Sequence, residues 1–284
     1  MLASPIPFIA SIPFIASIAS IAFSPQKLAK HHTMHTFDSL THDLAQAGFL
    51  HTDTVMVHSS MKSIGAVEGG ADTVLDVLSD YFGHEGLLVF PTGTWGSVNA
   101  QTPVFNVNTT ETCISLLPRM FRKRPGVVRS LHPTHSVAAL GPDAAAFTAG
   151  HESFDTPCDR RSPWGRLLDR RGKILMIGCP LTANTFLHGV EQWNAPREVV
   201  FEPVQQLLYA EDGTGRRIPV PSWRHAGAHS RYYGRPEAEF RRSGALHDHP
   251  FGDAVCHVFD CERLAELVSK ILAENPRYFT PEGR

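Results

Sequence analysis

The chain has 284 residues, 42% of them hydrophobic and 19% charged, with a formal net charge of −2. That length buries a full-sized core, which excludes a disulfide miniprotein or a disordered tail, and the near-neutral balance offers no basic field to nucleic acid or an anionic membrane. The five cysteines, at 113, 158, 179, 256 and 261, form no CxxC pair, so a reducing, cytoplasmic setting is expected in place of a disulfide framework.

Residues 1–33 depart from this picture. Met1 to Ser24 carries no charge and repeats IPFIAS, yet Lys27 and Lys30 follow the apolar run where a signal peptide needs basic residues ahead of it. Pro5, Pro7 and Pro13 also interrupt it. We read 1–33 as a low-complexity leader outside the fold, with membrane anchoring and secretion as alternatives, and residues 34–284 as one domain opening at Met34.

Beyond Met34 the hydrophobic period alternates between helix and strand. Phe37, Leu40, Leu44 and Ala47 predict a short amphipathic helix closed by Gly48. TVMVH (54–58) predicts a strand, and Val74, Leu75, Leu78 and Phe82 share one face of a helix starting near Asp72. GLLVFP (86–91) is a buried-strand run. A helix over 110–123, strands over 135–140 and 173–179, and a helix over 184–192 follow. VQQLLYAEDGTGRRIPV predicts a hairpin about Asp212-Gly213, and residues 261–272 predict a final helix. This order predicts a three-layer α/β/α sandwich with a mixed central sheet.

In such a fold the chemistry sits on loops at the carboxyl ends of strands. Here those loops read His58-Ser59-Ser60-Met61, Thr92-Gly93-Thr94-Trp95, His132-Pro133-Thr134-His135 and Pro180 to Glu191. A Ser turn offers backbone N–H groups to an anion, and it is equally ordinary turn chemistry. Neither GxxxxGK[ST] nor GxGxxG is present, which removes the standard nucleotide fingerprints. The 16 histidines include no HExxH and no recognised zinc spacing, so no metal is expected. Cys158 and Cys179 are conceivable nucleophiles, although a cysteine ending an apolar strand is more simply a small buried hydrophobe. His188 and Glu191 stand at i and i+3 of a helix, hence on one face, where a carboxylate can orient an imidazole base; the plain alternative is a histidine packing in a capped first turn.

Taken together, VHSSMKSIG, LLVFPTGTW, FRKRPGVVRSLHPTHSVAALG, DTPCDRRSPWGRLL and GKILMIGCPLTANTFLHGVEQW occur in an order that resembles the aminoglycoside 3-N-acetyltransferase family, over about residues 38 to 275. The resemblance implies an acetyl-CoA-dependent N-acetyltransferase of a fold distinct from the GNAT acyltransferases. It places acetyl-CoA along Ser59, Ser60 and Met61, Thr92, and His135, Ser136 and Val137. It makes His188 the general base for direct transfer to an aminoglycoside 3-amino group in a ternary complex, without metal, while Glu191 remains the catalytic partner suggested by the helix spacing. Arg122, Lys123, Arg124 and Arg129 are candidates for the CoA phosphates, or simply a solvated basic face.

Two segments depart from the resistance members of that family. GTWGSVNAQTPVFNVN and PSWRHAGAHSRYY hold no acid, whereas a polycationic acceptor needs carboxylates. Asp155 and Glu198 are the substrate-binding candidates, beside Glu191 and Asp248. Another amine, such as an amino sugar, a nucleoside or a peptide-like natural product, therefore stays open as acceptor. Hydrolysis of a thioester or ester is a further alternative, as is a noncatalytic CoA-binding role.

Overall fold

Apolar runs such as TVMV, LLVF and KILMI are stable as strands only when both faces are covered, and the chain supplies a helix layer for each face. The computed structural model describes residues 34–283; the expected leader lies outside the described residues. In chain order the elements are α1 (Phe37–Gln46), β1 (Thr54–Ser59), α2 (Ala71–Phe82), β2 (Leu87–Pro91), β3 (Val104–Asn106), α3 (Leu116–Phe121), β4 (Val128–Arg129) and β5 (Val137–Leu140). They continue with α4 (Ala144–Thr148), α5 (Pro163–Asp169), β6 (Lys173–Ile177), α6 (Phe186–Asn194), α7 (Arg197–Val200), β7 (Gln206–Glu211) and β8 (Arg217–Ser222). The last four are α8 (Glu237–Arg242), β9 (Leu246–Phe251), β10 (Ala254–Asp260) and α9 (Cys261–Glu274).

The central sheet runs β4-β5-β2-β1-β6-β10-β9. β2, β1 and β6 are parallel, with Met56 opposite Val89 and His58 opposite Met176, while the outer strands are antiparallel. Alternation along each strand sorts the core into two layers. Val55, Val57, Leu88 and Phe90 face α1, α2 and α3. Met56, Leu87, Val89 and Met176 face the layer that holds Trp164, Phe186, Leu187, Phe240 and Val268. The expected three-layer α/β/α sandwich with a mixed sheet is therefore present.

Two boundaries differ from the sequence expectation for identifiable reasons. The helix expected over 110–123 is only Leu116–Phe121, because the stretch before it is tied to β2's exit: Thr112 Oγ1 and Cys113 N both donate to Gly93 O, at 2.8 and 2.9 Å. The strand expected from His135 starts at Val137, because His132 Nδ1 accepts from His135 N at 3.0 Å and holds 132–135 as a turn. The hairpin about Asp212-Gly213 is β7–β8, and β3 joins it in parallel to form a small second sheet around Phe105, Leu208 and Val220.

β1 is the switch point of this topology, since the chain leaves it for β2 on one side and returns to β6 on the other, and a crevice opens at the carboxyl ends of strands so arranged. Backbones converge closely beneath it. Gly178 has φ +58, and a Cβ there would lie 2.2 Å from Ser63 Cβ, so only glycine lets the exits of β1 and β6 meet. Among the described residues no helix is long and apolar enough to cross a membrane.

Candidate active site

Two adjoining cavities occupy the crevice. The first, ≈ 340 Å³, is bordered by the ends of β1 and β2 through Val57, His58, Ser59 and Pro91, by Cys113 to Ser115, and by Cys179 after β6. The second, ≈ 260 Å³, is bordered by Thr134, His135, Arg224, His225 and His229. Trp95, His188 and Ser230 border both. Trp95 takes that position because its ring lies over Gly93, where an added Cβ would fall 1.9 Å from the indole.

His188 stands in the first turn of α6, whose entry is fixed by Asn184 Oδ1 accepting from Phe186 N at 3.2 Å. Its Nδ1 lies 2.7 Å from the Tyr233 hydroxyl, which in turn lies 3.0 Å from Glu191 Oε2. A carboxylate only accepts, so the single phenolic proton goes to Glu191, and His188 must donate from Nδ1–H. This tautomer leaves the Nε2 lone pair free. Glu191, 1% exposed, also receives His229 Nδ1 at 2.7 Å through Oε1. The same-face spacing of His188 and Glu191 thus works through a third residue, not by direct contact.

Burial lowers the His188 pKa to about 4; Glu191 opposes that shift and His229 reinforces it. His188 is therefore neutral, with an unprotonated Nε2, throughout the physiological range. Tyr233 is pushed well above the usual phenol range by burial and by Glu191, so it keeps its proton. A reaction that draws on neutral His188 is expected to lose rate only as the pH falls towards about 4. Rates across pH 4–8 check this; a limb near 6.5 would show an unburied imidazole.

The residues expected along acetyl-CoA divide. Ser59 borders the first cavity and its Oγ is buried without a partner, as are His58 Nε2 and Ser115 Oγ. Those three atoms in a largely apolar wall suit a thioester arm. His135 borders the second cavity instead. Thr92, Ser136 and Val137 are wholly buried beneath the crevice and border neither cavity. Their hydroxyls are already used: Thr92 Oγ1 and Ser136 Oγ lie 2.9 Å apart and both accept from buried Arg129 Nε at 3.2 Å. Ser60 N donates to Ile177 O at 2.8 Å, so it cannot serve as a free anion donor, and neither Ser60 nor Met61 borders a cavity.

The acidic candidates lie elsewhere. Asp155 borders a separate open groove with Arg197 and Phe201, and its Oδ2 takes Trp223 Nε1 at 3.2 Å. Glu198 is exposed on α7 and borders neither cavity. Asp248 is paired with Arg241 and His257. Of the basic run, buried Arg122 and exposed Lys123 bind Glu111, half-buried Arg124 binds Asp72 and Asp76, and Arg129 is buried, so only Lys123 fits the solvated-face alternative. Burial raises the Cys179 thiol to about 12 and Cys158 well above its usual value, so neither is a ready thiolate. Among the described residues no three His, Cys, Asp or Glu side chains group as a metal site.

Sequence reasoning missed Tyr233, Arg224, His225 and His229. They share the segment 223–233, whose concentration of histidines and aromatics without a helix or strand period was the available signal.

The family model for aminoglycoside 3-N-acetyltransferases matches residues 56–273. Aminoglycoside N(3)-acetyltransferase VII of Streptomyces paromomycinus is 36% identical over 197 residues, covering 63% of this chain and 68% of that protein. Among solved structures, AAC-IIIb binary with CoASH matches with a TM-score of 0.74 at 25% identity, covering 85% of this chain and 97% of that one. Aminoglycoside acetyltransferase AAC(3)-Xa matches with a TM-score of 0.74 at 30% identity, covering 84% and 93%.

Proposed function

The chain belongs to the aminoglycoside 3-N-acetyltransferase family, and from that premise we propose that it moves the acetyl group of acetyl-CoA directly onto an acceptor amine, the 3-amino group of an aminoglycoside in the family's reaction, with His188 as general base. It is an acyltransferase with acetyl-CoA as co-substrate.

One observation carries the reading: His188 borders both cavities and holds its proton on Nδ1, leaving Nε2 free at their junction. Acetyl-CoA supplies the activated thioester, and the first cavity, with Ser59, His58 and Ser115, is the side that suits it. The amine approaches from the second cavity. His188 Nε2 takes the proton that the nitrogen must lose as its lone pair forms the new bond, and Glu191 acts through Tyr233 to favour the imidazolium that results. Every residue of this reading follows Met34, consistent with a dispensable leader, and the five free thiols suit a reducing cytoplasm.

The raised thiol pKa values argue for direct transfer. Incubating the enzyme with acetyl-CoA and no acceptor is expected to leave its intact mass unchanged; a gain of one acetyl group on Cys179 would replace the ternary mechanism by a covalent one. Thiol release dependent on an added amine tests the transfer itself.

A second reading keeps the chemistry and changes the acceptor to an amine of lower positive charge. Its basis is that, among the described residues, no Asp or Glu borders either cavity.

A further inference from the structure

The second cavity has a defined charge character. Glu191 is the carboxylate behind its wall, and both of its oxygens are taken, by His229 Nδ1 at 2.7 Å and the Tyr233 hydroxyl at 3.0 Å. An ammonium other than the reacting one finds no ion-pair partner there, and a desolvated unpaired charge is costly.

The wall does carry one cation. Arg224 has no carboxylate partner among the described residues; its Nη1 and Nη2 donate to Val98 O and Trp95 O, at 3.3 and 3.0 Å, which fixes the guanidinium without neutralising it. Beside it the His225 ring is sandwiched between His188, 4.4 Å away and 13° off parallel, and Phe201, 5.5 Å away at 14°. Both His225 nitrogens are buried without a hydrogen-bond partner. Two such atoms cost free energy unless something completes them. The pair is presented on a held ribbon, since Glu202 N donates to Arg224 O and Ala226 N to Val200 O, at 2.8 and 2.7 Å.

We infer that the acceptor of this enzyme is an amine bearing an oxyanion, a carboxylate or a phosphate, on the same small framework, with Arg224 as the counter-charge and His225 as the adjoining hydrogen-bonding group. The inference rests on the reading of the His188 crevice as the transfer site. A charge-assisted contact to a fixed guanidinium is strong and directional, and the same guanidinium repels a polycation.

The test is thiol release by the full chain with acetyl-CoA and four acceptors: glucosamine, glucosamine 6-phosphate, muramic acid and gentamicin. At least one anionic amino sugar is expected to exceed both glucosamine and gentamicin in kcat/KM by about tenfold or more, an advantage that shrinks with added salt. The better of the two identifies phosphate or carboxylate as the anion. Arg224→Gln is expected to bring the anionic-to-neutral ratio towards one, and Arg224→Lys, which keeps the charge, to preserve part of it. The paired variants separate charge from any loosening of the Trp95 loop. Gentamicin as best acceptor, or a ratio indifferent to Arg224→Gln, overturns the inference and leaves the transfer reading standing. Release with no amine at all, despite acetyl-CoA binding, overturns both.

Discussion

His188→Ala is expected to lower acetyl transfer about a thousandfold, the usual worth of a well-placed general base, while acetyl-CoA still binds. The reason is local. The imidazole borders both cavities and its Nδ1 proton is committed to Tyr233, whereas His229, which Glu191 contacts directly, borders the second cavity alone. Trp95 and Ser230, the other residues common to both cavities, carry no such base. Thiol release measures the rate and calorimetric titration with CoA measures the binding. Retained turnover would remove His188 as the base; lost CoA binding would mean the ring's main role is to shape the first cavity.

Glu191→Ala is expected to damage both stability and rate. The substitution removes a carboxylate at 1% exposure and leaves the Tyr233 hydroxyl and His229 Nδ1 facing a void. Each stranded polar group costs about 1–3 kcal/mol, so a loss of about 4 kcal/mol is expected in urea unfolding. The rate is expected to fall about a hundredfold as well, because Tyr233 no longer holds His188 in its reactive tautomer. Glu191→Gln keeps the volume and one acceptor and should recover most of the stability. It should recover less of the rate, since the charge that favours the imidazolium is gone. The sign in pH follows: Glu191 raises the His188 pKa against burial, so its neutralisation moves the acid limb below about 4. An unchanged limb together with an unchanged rate would show that Glu191 serves the fold alone.

Burial keeps the histidines around the crevice neutral. His58 is lowered to about 4 and His132 to about 3, both by burial, and His135 and His225 are pushed well below the ordinary value. Neutral rings can pack edge to face and stack as they do here, His135 against His225 and His225 against His188, without mutual repulsion. Each would charge in the unfolded chain as pH drops below about 6.5, while the folded protein resists until lower pH. Stability is therefore present above that point and is lost as the pH falls towards 4.

The sequence alone determined the strands that bracket the crevice, because TVMV, LLVF and KILMI are apolar runs bounded by turn residues and the period that makes a buried strand is local. It also determined that His188 and Glu191 share a face of α6, since three residues of helix always bring side chains to the same side. The ordered motifs from VHSS to NTFLHGVEQW were sufficient to identify the family. What the sequence could not contain was the contact between those two residues: Tyr233, 45 positions beyond His188, is inserted between them by the path of the chain after β8. For the same reason the sequence does not show that the Thr92 and Ser136 hydroxyls are engaged by Arg129 beneath the crevice. Period and spacing report which side of its own element a residue faces. Which element arrives on that side, and whether it brings Arg224 or a carboxylate to the second cavity, is settled only when distant segments pack.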